Sequence, residues 1–327
     1  MTTALSETIR LFVNNTQAIK DGFPFQGSML RRLGALLYTS EHKEADCVRI
    51  REAMQLVKAH TSPFSMFRGT TLFSFAAMLS LRDHPEELMK DAVVVYQLLK
   101  AARFHASMYL VFAALQIAMS VPRDAQQDAV QKTRSAYEAV RSMHPFLSGD
   151  QSVIYAALIG SSAQDAGAAI EKTERLFLEL KPVLAPKSEA LSLCMLLSLS
   201  GNDQISHRVL QIQGALEAES LSFRRHYLLP MLGVLASCSP SPTTLAADIA
   251  ETAASLRAQN GFGGFFVAKQ ELLLLSASLV ICVAPEALPP LNTALLGGVT
   301  GMLIAQQVAI AASAGAAAAA SASSSSS

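Results

Sequence analysis

The sequence predicts an all-α protein made of stacked helical hairpins, and two observations carry this prediction. Apolar residues recur at the three- and four-residue spacing of a helix along most of the chain, whereas the alternating pattern of strands is nearly absent. Similar landmarks also recur at a fixed interval: Pro63-Phe64 returns 82 positions later as Pro145-Phe146. A constant period is typical of stacked units that cannot bury their apolar faces alone.

Helices placed between the Gly and Pro breaks group into three four-helix units, at residues 46–119, 124–200 and 203–283. A half unit at 4–39 precedes them, so residues 1–290 are expected to form one helical-repeat domain, an α-solenoid or α/α superhelix. The expected helices are 4–20, 29–39, 46–60, 71–82, 85–102, 106–119, 124–143, 151–161, 165–180, 187–200, 203–219, 223–237, 244–259 and 267–283. The three units should superpose, since their landmarks keep an interval near eighty.

The second helix of each unit is short and apolar on nearly every side. The segment from Leu72 to Leu79 is the clearest case, with Phe73 and Phe75 among small apolar residues. A helix without a polar face belongs in an interior layer, covered by amphipathic neighbours. The units are therefore expected to have an inner and an outer layer.

The composition changes after Pro290, since residues 291–327 contain no charged side chain. Residues 291–312 are predicted to form an apolar helix, and 313–327 an Ala/Ser low-complexity tail. The helix is long enough to span a bilayer, but it contains Gln306 and Gln307 and lacks basic flanks. Docking on the repeats as a cap is the favoured interpretation, with self-association or membrane contact as alternatives.

Charge and cysteine content exclude several function classes. Lys and Arg number 26, as do Asp and Glu, so no basic excess is available to neutralise nucleic-acid phosphates. The four cysteines include no CxxC pair and are expected to be free and buried, as in a reducing compartment. The first residues lack the features of a secretory signal. We therefore expect a cytoplasmic location.

No set of residues with the spacing of a known catalytic or metal site occurs in the sequence. The seven histidines form no HxxxH or HExxH pair, and the Gly261–Gly264 turn lacks the Lys-Ser/Thr ending of a phosphate loop. We predict no catalytic residues, no metal and no cofactor. The weak binding candidates are Arg68, His144 and Asp150, which lie in matching loops that would line one rim. In the alternative interpretation, Ser148 or Asp150 caps the following helix and Phe146 packs against it.

Several segments resemble one bacterial family over most of the chain. They are Ser62–Gly69 (SPFSMFRG), His144–Asp150 (HPFLSGD), Tyr227–Leu235 (YLLPMLGVL) and the Ser-ended tail. The sequence resembles the bacterial domain-of-unknown-function family 4003, whose members stand alone in the cytoplasm and have no assigned activity. The resemblance implies a helical protein of this length and carries over no functional residue.

The function favoured by the sequence is a non-catalytic scaffold or protein–protein interaction module. Its partner would be a protein or peptide, or a second copy bound through the tail. One alternative is an α/α barrel that binds or processes an apolar ligand such as an isoprenoid or lipid, because the inner helices are apolar. Another is a peripheral membrane protein attached by its tail.

Overall fold

The computed structural model describes residues 2–162, 164–223, 228–264 and 267–284, and within them it confirms the all-α prediction. These residues form fourteen α-helices and a short 3-10 turn, Arg123–Ala125, and contain no β-strand. The helices are α1 (Thr3–Gly22), α2 (Ser28–Ser40), α3 (Cys47–His60), α4 (Thr71–Ser80), α5 (Pro85–Ala101), α6 (Met108–Ser120), α7 (Gln126–Met143), α8 (Ser152–Ser161), α9 (Ala166–Leu180), α10 (Lys187–Leu197), α11 (Ile205–Ala218), α12 (Met231–Ala236), α13 (Pro242–Arg257) and α14 (Lys269–Val283). The predicted tail helix at 291–312 lies outside the described residues.

The predicted helix bounds agree with the structure within three residues, except for α12. The sequence pattern predicts a helix over 223–237, but the helix begins only at Met231. Pro230 explains the late start, because its ring removes a backbone donor and clashes with a preceding helical turn. It therefore occupies the position just before the helix, where no such donor is needed.

Short polar side chains begin several of the helices. The Asp46 carboxylate accepts hydrogen bonds from the Val48 and Arg49 amides at 2.9 Å, and Ser107 accepts one from the Leu110 amide at 3.2 Å. Each bond satisfies an amide that lacks a partner in the first helical turn. Helix α5 begins instead with Pro85, followed by two acids in its first turn, where they interact favourably with the helix dipole.

Successive helices pair into seven hairpins, in which the odd-numbered helix is amphipathic and the even-numbered helix is buried. In α4 every residue except Leu72 is buried, and in α8 every residue from Ser152 to Gly160 is buried. Close approach contributes to this packing: a Cβ on Gly160 would meet backbone atoms of Ala129 and Thr133 in α7. None of the described helices combines the length and apolar character needed to cross a membrane.

The first and last hairpins are neighbours, because α14 packs against both α1 and α2. At this seam the Arg32 guanidinium donates to the Glu271 carboxylate at 2.7 Å, with both side chains largely buried. Phe12 also meets Phe262, with 5.7 Å between ring centroids. The seam therefore combines an apolar contact with a buried ion pair across almost the whole length of the chain.

From α1 to α9, neighbouring odd-numbered helices run in the same direction, as the contacts between successive hairpins show. In α5 and α7, for example, Arg123 just before α7 pairs with Asp91 early in α5, whereas Arg134, farther along α7, donates to the Arg103 carbonyl just after α5. The loops that follow these five helices consequently lie at one end of this part of the molecule. We call these five loops, 23–27, 61–70, 102–107, 144–151 and 181–186, the hairpin rim. The loops 41–46, 81–84, 121–125 and 162–165, at the other end, form the opposite rim.

The seam ion pair leads to a stability prediction. Glu271→Gln removes the carboxylate charge that faces buried Arg32, and we expect the free energy of unfolding in urea to fall by about 2–4 kcal/mol. Arg32→Met/Glu271→Met should recover part of this loss, because neither charge then remains buried. Glu86→Gln is the matched control, since Glu86 and Lys90 form an exposed pair. Equal stability of the Glu271→Gln and Glu86→Gln variants would show that the seam pair does not hold the two hairpins together.

Candidate functional site

Arg68, the first of the three predicted binding residues, is bound to its own hairpin. Its guanidinium donates to the carbonyls of Lys58 and Thr61 and to the Thr61 hydroxyl, at the carboxyl end of α3. These carbonyls have no partner within the helix, and a cation there also interacts favourably with the helix dipole. Arg68 therefore closes the end of α3, a contact that accounts for its position without a ligand.

His144 and Asp150 both lie in the loop between α7 and α8, whereas Arg68 lies two hairpins earlier. The His144 ring bonds through Nε2 to the Glu174 carboxylate at 2.6 Å and stacks edge-on against Phe177, with 4.6 Å between ring centroids. These contacts tie the loop to α9. The structure thus places His144 in a link between neighbouring hairpins.

Asp150 lies at a small basic recess of about 100 Å³ between the α5–α6 and α7–α8 hairpins. Arg103, Arg134 and Arg141 also line this recess. The pKa of the nearby Tyr109 hydroxyl is raised, first by burial and second by the Asp150 charge. Of the predicted site residues, Asp150 is the one that the structure places at a recess with other charged groups.

The alternative interpretation of the His144–Asp150 loop as a helix cap is wrong. No side chain caps α8, whose preceding residue is Gln151, and the Ser148 hydroxyl instead donates back to the His144 carbonyl. Phe146 does not pack against the helix either, because its side chain is 97% exposed. The Phe146 ring is therefore exposed to solvent.

Phe146 is one of several large apolar side chains exposed on the hairpin rim. Phe25 and Phe64 are 103% and 96% exposed, and like Phe146 each follows a proline. Smaller exposed apolar residues lie in the same loops or in the helical turn just before them: Met66, Met143, Leu178 and Val183. Of the nine large hydrophobic residues exposed in the described ranges, seven belong to this end of the molecule, and Val48 and Val94 lie elsewhere.

A repeated contact fixes three of the loops that follow odd-numbered helices. Arg51 lies over the Phe23 ring and donates to the Gly22 carbonyl at 3.0 Å. Arg134 lies over Phe104 and bonds to the carbonyl of the preceding residue in the same way. At the seam Arg32 repeats the arrangement with Phe262 and Gly261. Arg51 and Arg134 each belong to the next odd-numbered helix, whereas Arg32 belongs to the even-numbered helix α2.

A larger crevice of about 840 Å³ lies beside the seam, between α1, the start of α2 and the α13–α14 loop. Lys20, Arg31 and Arg32 line it together with amide and hydroxyl side chains, and none of the described residues that line it is an acid. Its size lies within the range of small-molecule sites. However, Arg31 and Arg32 are engaged with the Pro24 carbonyl and with Glu271, respectively, so the crevice has the size of a site without a converging set of reactive groups.

The described residues contain no cluster of three or more His, Cys, Asp or Glu side chains arranged to hold a metal ion. Cys47, Cys194, Cys238 and Cys282 are all free thiols; Cys194 and Cys238 are buried, and the other two are partly exposed. Burial raises the pKa of the Cys194 thiol well above its ordinary value, and it raises the pKa of Cys282 to about 12. A thiol activated for catalysis needs a pKa below its ordinary value.

Sequence reasoning missed the exposed aromatic rim, although a signal for it was present. The repeated Pro-Phe pair marks the period, and its pattern predicts that Phe146 packs against the following helix. A proline before the aromatic residue disfavours helical backbone at the position before it, which fits a loop. Exposure itself depends on the neighbouring hairpins, about which the local sequence says nothing.

Comparison with known proteins identifies one family. The family model described as Protein of unknown function (DUF4003) matches residues 15–308. No curated protein and no solved structure matches the chain.

The thiol environments lead to a labelling prediction. At pH 8 a maleimide should react slowly with Cys194 and Cys238, because both are buried, and fastest with Cys47, which is partly exposed. The pKa of Cys47 is also raised, chiefly by burial, so its labelling should accelerate as the pH rises above 8. In urea all four should react alike. Rapid native labelling of Cys194, or a stoichiometric disulfide, would contradict this burial pattern.

Proposed function

We propose that this protein, which belongs to the DUF4003 family of unknown function, is a non-catalytic interaction module that docks through its hairpin rim. One observation carries the proposal: Phe25, Phe64 and Phe146 are almost wholly exposed, in loops that share one end of the molecule. Burying one such ring contributes about 1.5–3 kcal/mol relative to leaving it in water. Three rings concentrated at one end therefore favour a binding surface there.

The burial of the inner helices favours docking at the rim over an apolar ligand in the interior. Apart from Leu72 and Ser161, the residues of α4 and α8 are buried, and the two helices pack against their neighbours. A barrel that holds an isoprenoid or lipid needs inner helices that line a cavity. We therefore rank the ligand-binding barrel below the interaction module.

We further propose that the hairpins are repeats of a four-helix unit arranged as a closed superhelix in the cytoplasm. The repeated Arg–Phe contacts at Phe23 and Phe104, 81 positions apart, support a common unit. The packing of α14 on α1 and α2 supports closure. Superposition of residues 46–119, 124–200 and 203–283 remains the test of this arrangement. The free cysteines are consistent with a reducing compartment.

Site-specific photo-cross-linking in producing cells tests the proposed docking surface. A photoreactive phenylalanine analogue replaces Phe64 or Phe146 in one set of variants and Val48 or Val94 in the control set. All four side chains are exposed, so the substitutions should not disturb folding. We expect adducts with a protein or a lipid at the two rim positions, and few at the control positions, because the rim is buried in the complex.

The control variants also define the result that contradicts the proposal. If all four positions give the same adducts in the same yield, the rim binds no specific partner. The proposal that the protein is an interaction module is then wrong. Thermal unfolding of each variant verifies that the comparison is made between folded proteins.

A further inference from the structure

The hairpin rim has a charge as well as an apolar character. Its five loops, each taken with the last turn of the helix before it, contain seven basic residues and three acidic ones. The basic residues are Lys20, Lys58, Arg68, Lys100, Arg103, Arg141 and Lys181, and the acidic residues are Asp21, Asp150 and Glu179. Three histidines also belong to these segments: His60, His105 and His144.

The opposite rim has the reverse charge. Its four loops, taken in the same way, contain the acids Glu41, Glu44, Asp46, Asp83, Asp124 and Asp165, the bases Lys43, Arg82 and Arg123, and the histidines His42 and His84. The chain as a whole has equal numbers of basic and acidic residues. Helix orientation in the hairpins from α1 to α10 therefore separates a basic, aromatic rim from an acidic one, although the sequence as a whole is electrically neutral.

We propose that the partner of the hairpin rim is an anionic lipid bilayer, on which the protein binds as a peripheral membrane protein with Phe25, Phe64 and Phe146 inserted at the interface. This inference rests on the proposed docking function of the rim. It names the partner by charge complementarity, since basic groups near the surface are attracted to anionic headgroups. It also places the opposite, acidic rim away from the membrane.

The distribution of the aromatic residues favours a bilayer over a protein. The three rings stand on three separate loops, two of which also carry the less exposed Met66 or Met143, and charged residues such as Lys58 and Arg141 lie close to them in sequence. A protein interface commonly has a contiguous apolar centre with a depleted charge content. Isolated aromatic residues among cations match the interfacial layer of a membrane, where apolar side chains enter the acyl boundary and cations remain at the headgroups.

The absence of tryptophan from the chain permits a direct test with a single fluorescent reporter. Full-length Phe146→Trp and the control Val94→Trp are mixed with vesicles of phosphatidylcholine alone, or with about a third phosphatidylglycerol. We expect a blue shift for Phe146→Trp with the anionic vesicles and none for Val94→Trp. Added salt should weaken the binding, because screening reduces the attraction between the basic rim and the headgroups.

Vesicle co-sedimentation separates the rim from other segments, including the uncharged residues 291–312. Phe25→Ser/Phe64→Ser/Phe146→Ser should lower the affinity for anionic vesicles roughly tenfold or more, because it removes the inserted side chains. The matched control, Val48→Ser/Val94→Ser, removes exposed apolar residues from outside the rim and should bind as the wild type does. All these positions are exposed, so folding should be retained in both variants.

Each other outcome overturns a defined part of the inference. Equal binding of the wild type and the triple Phe variant would assign membrane attachment to another segment. The wild type could instead fail to bind vesicles while Phe64 and Phe146 form protein adducts in the cross-linking experiment. The partner would then be a protein and not a bilayer, and the proposed docking function of the rim would stand. The absence of both vesicle binding and rim adducts would overturn the docking function as well.

Discussion

The need to cover the even-numbered helices on every side determines the rest of the structure. Helices such as α4 and α8 have no polar face, so each must be enclosed by its own hairpin partner and by the neighbouring hairpins. A row of hairpins satisfies this requirement everywhere except at its two ends. Contact of α14 with α1 and α2 covers those ends with the protein's own helices. The buried Arg32–Glu271 pair then fixes which surfaces meet at the seam.

This constraint also explains why most of the fold could be predicted from the sequence. Apolar periodicity, Pro85 and the polar residues at helix starts are local signals, and the predicted bounds follow them closely. The late start of α12 is an exception, because the apolar run at 223–237 predicts a longer helix although Pro230 prevents its first part from forming. The seam could not be predicted, since Arg32 and Glu271 are 239 residues apart and neither lies in a pattern that indicates a partner.

The contacts of the candidate site residues could not be predicted from the sequence, for a physical reason. Arg68 and His144 are polar residues in equivalent loops, and their sequence context does not distinguish a ligand from the end of a helix or a neighbouring carboxylate. The structure shows that Arg68 binds helix carbonyls and that His144 binds Glu174. The exposure of the three phenylalanines could not be predicted, because hydrophobic residues usually pack in the interior. The direction of the helices, which the local sequence does not indicate, places them at one end.

The chemistry of the molecule is thus divided between its interior and its rim. The described interior is apolar, and the described residues contain no cluster of three or more His, Cys, Asp or Glu side chains arranged to hold a metal ion. Aromatic and basic side chains meet on the hairpin rim, and the Arg–Phe contacts at Phe23 and Phe104 hold two of its loops in place. In this account the helical layers serve to position the rim.

Hydrogen–deuterium exchange of the full-length protein, with and without anionic vesicles, tests this account most directly. If the rim is the docking surface, the loops 23–27, 61–70 and 144–151 should become protected when vesicles are added, and the loops 41–46 and 81–84 should exchange as before. Protection confined to the opposite rim or to residues 285–327, with no change in the three Phe-bearing loops, would contradict it.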